Sequence, residues 1–565
     1  MTITAETTDK TSNLLKRLGT LKQMRKPWEP LWKDITDYVL PRRSFWDLDG
    51  KKGQKPATKI YDGVSLAALQ LLVDGLQGYL VSPKIRWYRL TMEDQRQQNL
   101  PGVADWLEEV DDILYAEFAR SNFYESIGEF FLDAASIGTA VMFVEDDLER
   151  RRVNFSTRHM KECYIAEGRN GLVDVLYRDF TMTNRVAYQI FKDKLCDRRI
   201  ENVKENPFGS AHILHACFPR IEFDMEKLDG TNMKTASVYM DKDHNEIIDE
   251  GGYDLFPYLV WRWRKNSDEV YGRSPAADAI NDILRINQIG KDMLEASHLC
   301  VAPPLNVHES QRGLTRLIPR GENYYTNPNE MITPINLGQN YPIGIEQENA
   351  LKEQIRDTFR TRIFLLMEQL EGGPFTATEI RERQGEKAAV LGPTIGRLNS
   401  ETLVPLLDRV YRICDKNGLI PYPPEALMQG GRVKVEMQGP LAQSQKIYHE
   451  VQGVNASLQF ADSMGKLFPS SMDNVDSDWL MRVGLDSCGA PQKVIREVPD
   501  VQEIRRIRME ETARKEKEAV AMAQQELLAQ NAQKLNEPVK PDSMLAGIGK
   551  AAMDQKKRSR TTPGP

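Results

Sequence analysis

Apolar residues recur every three to four positions through the first 140 residues. Leu14, Leu18 and Leu21, then Trp28, Trp32, Ile35 and Val39, trace one stripe until Pro41 interrupts it. Further helical periods cover about 62–81 and 101–137, where Trp106, Val110, Ile113, Leu114 and Phe118 define a core-facing face. From Gly138 the period drops to two. TAVMFVEDD, RVNFST, ECYIAEG, GLVDVLYRDF, HILHACF, KTASVYM and LFPYLVWRW read as strands, separated by turn-forming clusters such as MDKDHNE and DEGGYD. A short helical stretch near 184–192 interrupts them. Residues 1 to about 270 therefore read as one α+β domain with its strands in the second half.

The helical period returns at EVYGRSPAADAINDILRINQ, with Ser274 as N-cap, Pro275 at the first helical position and Asp278 in the first turn. Pro303-Pro304 ends that helix, and about forty Pro- and Gly-punctuated residues predict a compact β insertion. A second long helix is expected over 345–371, where Ile355, Phe359, Ile363, Leu366, Met367 and Leu370 repeat at helical spacing. Glu371-Gly372-Gly373-Pro374-Phe375 forces a loop, since it joins two unhindered residues to a helix breaker. Thr376-Ala377-Thr378-Glu379 is a capping box, opening a helix to about Cys414 that is expected to bend near Gly392-Pro393 and Pro405. A smaller mixed segment reaches about 500. One helix follows, with six basic and six acidic residues between 501 and 530 that can pair along its surface. The stretch 538–565, rich in Pro, Gly, Ser and Lys/Arg, reads as a frayed basic tail.

Composition narrows the function. At 565 residues, with 75 Lys+Arg against 82 Asp+Glu and a net charge of −7, the chain is globular and lacks the polybasic coat that a phosphate-gripping protein needs. Its six cysteines contain no C-x-x-C pair, which suits a reducing compartment and argues against disulfide scaffolds and zinc ribbons. The first residues lack the apolar run of a signal peptide, and the oiliest stretch, 64–81, carries Gln70, Asp74 and Gln77, so no membrane span is expected. P-loop, H-E-x-x-H, G-x-S-x-G and EF-hand spacings are missing.

Three clusters could pass for chemistry. His212-x-x-His215-x-Cys217 lies in a strand, where residues three apart face opposite sides, so it fits ordinary strand residues better than one shared ion. Glu145-Asp146-Asp147 follows a strand directly and fits a solvated turn better than a magnesium site. Trp261-Arg262-Trp263-Arg264-Lys265 alternates aromatic and cationic residues, which on a strand predicts a Trp face in the core and ion pairs on the other side.

The order of elements, together with KPWEPLWKDITDYVLPRR at 26, SPKIRWYRL at 82, SIGTAVMFVEDD at 136, EVYGRSPAADAINDILRINQ at 269 and TATEIRERQGEKAAVLGPTIGRLNSETLVPLLDR at 376, closely resembles the head-to-tail connecting, or portal, family of short-tailed bacteriophages. The resemblance implies an α+β, mainly helical, portal-like fold assembling as a ring, typically of twelve copies, at one capsid vertex. It assigns 1–274 to a wing, 275–302 and 345–371 to stem helices and 303–344 to a clip. Residues 372–415 become the tunnel loop and a bent wing helix, 416–500 a crown, 501–537 a barrel-like helix and 538–565 a basic tail. Glu371, Gly372, Gly373, Pro374 and Phe375 would project toward duplex DNA passing without sequence specificity. Arg312, Arg316 and Arg320 in the clip would meet the terminase large subunit and then tail adaptor proteins. Lys556, Lys557, Arg558 and Arg560 would touch packaged genome, and major capsid and scaffolding proteins would be further partners. No catalytic residue, metal or cofactor is implied. The expected location is the virion, after assembly in the host bacterial cytoplasm. Two other readings stay open at this point: another virion component, such as an internal-core or tail-adaptor protein, and a metal-dependent enzyme using His212 and His215.

Overall fold

The structure, a computed structural model, describes residues 2–41, 60–94, 102–147, 150–221, 232–301, 341–364, 391–428, 432–439 and 498–536, with a few further positions between them. It divides into two units, Met1–Gln492 and Lys493–Pro565.

In the first unit the early helical stripe is α1 (Thr2–Arg25) and α2 (Glu29–Tyr38). Leu14, Leu18 and Leu21 of α1 bury against Tyr164, Tyr177, Leu214, Val238 and Met240, while Trp32 and Ile35 of α2 enter the main core. α3 (Val64–Leu80) follows as the pattern predicts. The next helical stretch is two helices, α4 (Val103–Arg120) and α5 (Phe123–Ile137). They break at Asn122, whose amide donates to the Phe155 carbonyl at 2.7 Å and accepts from the Phe155 N–H at 3.0 Å, a side chain standing in for one rung of a ladder.

One strand sits inside the region that reads as helical. β1 (Tyr88–Met92) pairs antiparallel with β12 (Val433–Met437), about 345 residues away along the chain, so no hairpin signal announces either. On its other edge the buried Asp111 carboxylate accepts the Leu90 N–H at 3.0 Å. Burial pushes the Asp111 carboxyl up to about 7, against the opposing pull of the Leu90 N–H and of Arg86 and Arg89. Between the ordinary carboxyl range and pH 7 the folded chain therefore keeps a proton that the unfolded chain has lost. This contribution strengthens the fold as pH falls from 7 toward 4 and is weakest above 7. Asp111→Asn is expected to flatten it, so that the difference between wild-type and variant urea-unfolding free energies changes by about 2–4 kcal/mol between pH 5 and 8.

The β-rich block begins with β2 (Thr139–Asp147), β3 (Arg152–Arg158), β4 (Cys163–Glu167) and β5 (Val173–Thr183). It continues through α6 (Asn184–Phe191) and α7 (Asp197–Glu205), then β6 (Ser210–Pro219), β7 (Thr235–Asp241), β8 (Glu246–Tyr253) and β9 (Tyr258–Arg262). β4-β5-β6-β7-β8 make a five-stranded antiparallel meander, and β3-β2-β9 a three-stranded antiparallel sheet. DEGGYD, expected as a turn, lies largely inside β8. The turn falls at 242–245, where Asn245 takes a left-handed φ of 56°.

α8 (Pro275–Val301) and α9 (Tyr341–Thr358) pack on each other. β10 (Leu305–Asn306) and β11 (Thr333–Pro334) pair between them, a fragment of the expected β insertion. The second helix does not run over 345–371 as one piece. It ends at Thr358, Arg360 turns left-handed at φ 57°, and a short 3-10 turn covers Thr361–Ile363. The reason is packing: Phe359 and Phe364 are both buried, yet five residues along a straight helix would place them about 140° apart. The Thr361 hydroxyl donates to the Arg356 carbonyl at 3.1 Å, satisfying a helix-end acceptor.

Helix resumes over 391–398, passes through a π-helical turn at Asn399–Leu403 and continues as α10 (Val404–Lys416). The bend expected near Pro405 is thus a π turn. Leu391, Ile395 and Leu398 bury at α-helical spacing, as do Leu403, Leu406, Leu407, Val410 and Ile413, but the step from Leu398 to Leu403 is five. Past α11 (Glu425–Met428), β12 returns to β1, so this part of the segment that the resemblance assigned to a crown packs within the N-terminal half. The second unit contains α12 (Val498–Asn536), exposed along its described side chains except for the half-buried Val501 and Ile504, and carrying surface pairs such as Arg514–Glu518. Among the described residues, no helix is long and apolar enough to cross a membrane.

Candidate functional site

The root of α8 is where three of the family-like motifs meet. Ser274, fully buried, caps the helix: its hydroxyl accepts the Ala277 N–H at 3.0 Å and donates to the Ser136 carbonyl at 2.6 Å. One residue earlier in space, the Thr139 hydroxyl accepts the Gly272 N–H at 2.9 Å and the Gly138 carbonyl accepts the Trp263 N–H at 2.9 Å. Gly138 closes α5 at φ +95°, and a Cβ there would lie 2.3 Å from the Gly272 oxygen. SIGTAV and YGRSPAAD therefore meet backbone against backbone at the two glycines, with the Ser274 and Thr139 hydroxyls tying the contact on either side. The third motif supplies Trp28 and Trp32, whose rings lie 5.9 and 5.2 Å from that of the buried Tyr271, with Arg273 over Trp28 at 5.1 Å.

From this root the first half of α8 is held down. Ala276, Ala279, Ile283 and Ile286 are buried, and the Asn287 side-chain Oδ1 accepts the Tyr61 N–H at 2.8 Å. Its second half leaves the core: Leu294, Leu299 and Val301 are exposed. α9 mirrors it, with Ile355 and Phe359 buried near its end and Ile345 exposed near its start. The pair is an antiparallel hairpin anchored at one end.

Next to the root runs a buried ionic chain. Arg262, 1% exposed, pairs with Glu401 at 2.6 Å and with Glu167, and donates to the Gly171 carbonyl at 2.7 Å. Lys265 joins Glu167 at 2.6 Å, and Arg397 reaches Glu401 at 3.3 Å. Charges alternate along Arg397, Glu401, Arg262, Glu167 and Lys265, so each carboxylate has two cations. As the strand period predicts, Trp261 and Trp263 are in the core and Arg262 makes ion pairs, although it too is buried. Farther along, Arg409 donates to the Val144 carbonyl at 2.9 Å, stitching α10 to β2.

The candidate metal groups resolve differently. His212 is exposed, while His215 is buried, as their three-residue spacing predicts. His215 Nδ1 is 2.6 Å from the Tyr258 hydroxyl and Nε2 is 2.9 Å from the Ser237 hydroxyl, with the ring stacked on Tyr239 at 3.9 Å. Burial, helped by Arg178 and Arg158, keeps the imidazole well below its ordinary range, so it sits neutral as a polar pin between the two sheets. His215→Phe is expected to cost about 1–3 kcal/mol in urea unfolding, because it takes a hydrogen-bond partner from two buried hydroxyls. Glu145 accepts from Asn154 at 3.0 Å and Asp146 from Asn417 at 3.2 Å, so that acidic triplet is spread over both faces of β2. Cys196, Asp241 and His244 cluster within 4.8 Å, but Arg199 holds both Asp241 oxygens at 2.8 and 2.7 Å and occupies the cation's place.

Glu371, Gly372, Gly373, Pro374 and Phe375, Arg312, Arg316 and Arg320, and Lys556, Lys557, Arg558 and Arg560 all lie outside the described residues. What sequence reasoning missed is the Gly138–Gly272 contact and the Arg262–Glu401 pair. Each joins positions more than 130 residues apart that carry no local signal.

A family model described as bacteriophage head to tail connecting protein matches residues 11–495. The chain belongs to that family. It is 28% identical over 501 residues to the "Probable portal protein" of Bordetella phage BPP-1, covering 85% of this chain and 88% of that one. It is 27% identical over 555 residues to the "Portal protein" of Salmonella phage epsilon15, covering 95% and 98%. The anchored hairpin and its ionic support thus belong to a head-tail connector, a structural protein of the portal kind.

Proposed function

We propose that copies of this chain close into a ring, of twelve, at one capsid vertex, and that the α8–α9 hairpin lines an axial channel for duplex DNA during packaging, retention and ejection. The observation that carries this is the hairpin itself: two helices rooted in a dense core, with exposed outer halves, in a chain of the connecting family. Between residues 275 and 371 there are 13 Asp/Glu and 9 Lys/Arg, a net of −4 per copy. An acidic wall does not neutralise phosphates or fix a polyanion in place, which suits a passage without sequence specificity. Glu371 to Phe375 extend toward the DNA, with Phe375 as an uncharged contact. Arg312, Arg316 and Arg320 meet the terminase large subunit and then tail adaptor proteins. The basic run Lys556, Lys557, Arg558 and Arg560 touches packaged genome, and capsid and scaffolding proteins surround the ring. The protein performs no catalysis and needs no cofactor in this role, and it assembles in the host cytoplasm before entering the virion. Electron microscopy of the purified oligomer tests the reading. Rings with an axial hole lined by α8 and α9 support it; a compact single-copy particle under virion-like conditions, or a strongly cationic lining, overturns it.

A further inference from the structure

The π turn at Asn399–Leu403 is costly in three ways that a plain helix would avoid. The Val404 N–H reaches back five residues to the Asn399 carbonyl. The Asn399 side-chain oxygen and the Thr402 hydroxyl are buried with no hydrogen-bond partner. Glu401 brings a carboxylate into the core, where it is held by Arg262 and Arg397. Buried orphaned polar atoms inside a π turn mark a segment under strain, and such strain persists only where surrounding structure imposes it.

The imposing structure is visible on both sides. Leu391, Ile395 and Leu398 fix the rotation of 391–398, while Leu403, Leu406 and Val410 fix that of α10, and the two phases differ by one residue. The unstrained alternative is a continuous α-helix. Counting back from Leu403 in steps of three and four, it would turn Asn399, Gly396 and Gly392 to the core in place of the three apolar anchors. Two of those residues are glycines, so the second packing trades contact area for freedom from collision. Glu401 lies inside the turn, and conversion carries its carboxylate off Arg262.

We propose that residues 399–403 are a conformational joint, locked in its present register by Glu401 on Arg262, through which 391–398 turns by one residue, about 100°, against the sheets. The joint connects 391–398 to α10 and packs against β9 through Glu401 and Arg262, so its two registers offer the subunit two settings. The inference goes beyond the channel reading, and its test does not depend on it.

Hydrogen exchange by mass spectrometry on the purified full chain decides. Glu401→Gln keeps the shape of the side chain and removes its charge, and is expected to speed exchange of amides within 395–403 at least tenfold, together with the Arg262 amide that donates to Glu401 at 2.9 Å, leaving β2 unchanged. Deleting the exposed Ser400 shortens the step of five to four, and is expected to slow exchange of the same amides by a similar factor. Glu401→Gln exchange within twofold of wild type overturns the joint. So does acceleration spread evenly over the whole chain, since the pair would then serve stability alone. A Ser400 deletion that folds but leaves exchange in the segment unchanged also overturns it.

Discussion

Arg262→Ala is expected to destabilise the protein by about 3–5 kcal/mol, the largest loss among single truncations of its polar core. The physical case rests on what stays behind. Arg262 contacts two carboxylates, Glu401 and Glu167, and donates to the Gly171 carbonyl. Removing it leaves the buried Glu401 carboxylate with the backbone N–H of residue 262 at 2.9 Å and one cation, the half-buried Arg397 at 3.3 Å, and strips Glu167 of one of its two cations. A buried charge deprived of its partner cannot regain the hydration it lost on folding. The isosteric comparison separates charge from packing: the double variant Arg262→Met, Glu401→Met removes both members of the central pair and is expected to recover most of the loss. Urea titrations followed by circular dichroism read both. A single-variant loss below 1 kcal/mol would mean that water reaches the chain of charges.

Those contacts also show what was legible in the sequence. Spacing of apolar residues located α1, α2, α3, α8 and most strands, because each of these elements buries one face and its period is written locally. It failed where the deciding contact is distant. β1 has its partner about 345 residues on, and although YRLTM alternates apolar and polar residues, five such residues with no neighbouring strand or hairpin signal do not stand out between helical stretches. The end of α9 at Thr358 is dictated by the need to bury both Phe359 and Phe364, while the local period runs on without a break. The π turn shows in the sequence as the step of five between Leu398 and Leu403, while Pro405 beside it carries the ordinary signal of a proline kink. The strand period did place Arg262 opposite the Trp face, and so named an ion-pairing residue without naming its partner. For the site, motif order alone pointed to SIGTAV, YGRSPAAD and the tryptophan pair; their convergence at the root of α8 is a fact of tertiary packing that no spacing encodes.

Gly138→Ala is the second large effect, expected to cost about 3 kcal/mol or more and to act through geometry alone. At φ +95° a residue with a side chain is strained even in open space. Gly138 has no such space: an added Cβ would stand 2.3 Å from the Gly272 oxygen and 2.9 Å from the Ser274 nitrogen. Both obstacles are backbone, so no side chain can swing away to make room. Relief requires the Gly272–Ser274 segment to withdraw, and that segment carries the cap of α8, the Ser274–Ser136 bond and the Gly272–Thr139 bond. The damage therefore falls on the anchor of the projecting hairpin, while the three-stranded sheet beyond Ala140 keeps its own ladder. Gly19→Ala is the matching control. It lies in α1 with nothing within 4 Å of its added Cβ, and is expected to be neutral or to stabilise by about 0.5–1 kcal/mol through helix propensity. Thermal and urea unfolding of the two variants should separate in opposite directions from wild type. Equal behaviour would mean that the contact between the two glycine motifs yields freely, and that the hairpin is not fixed at its root.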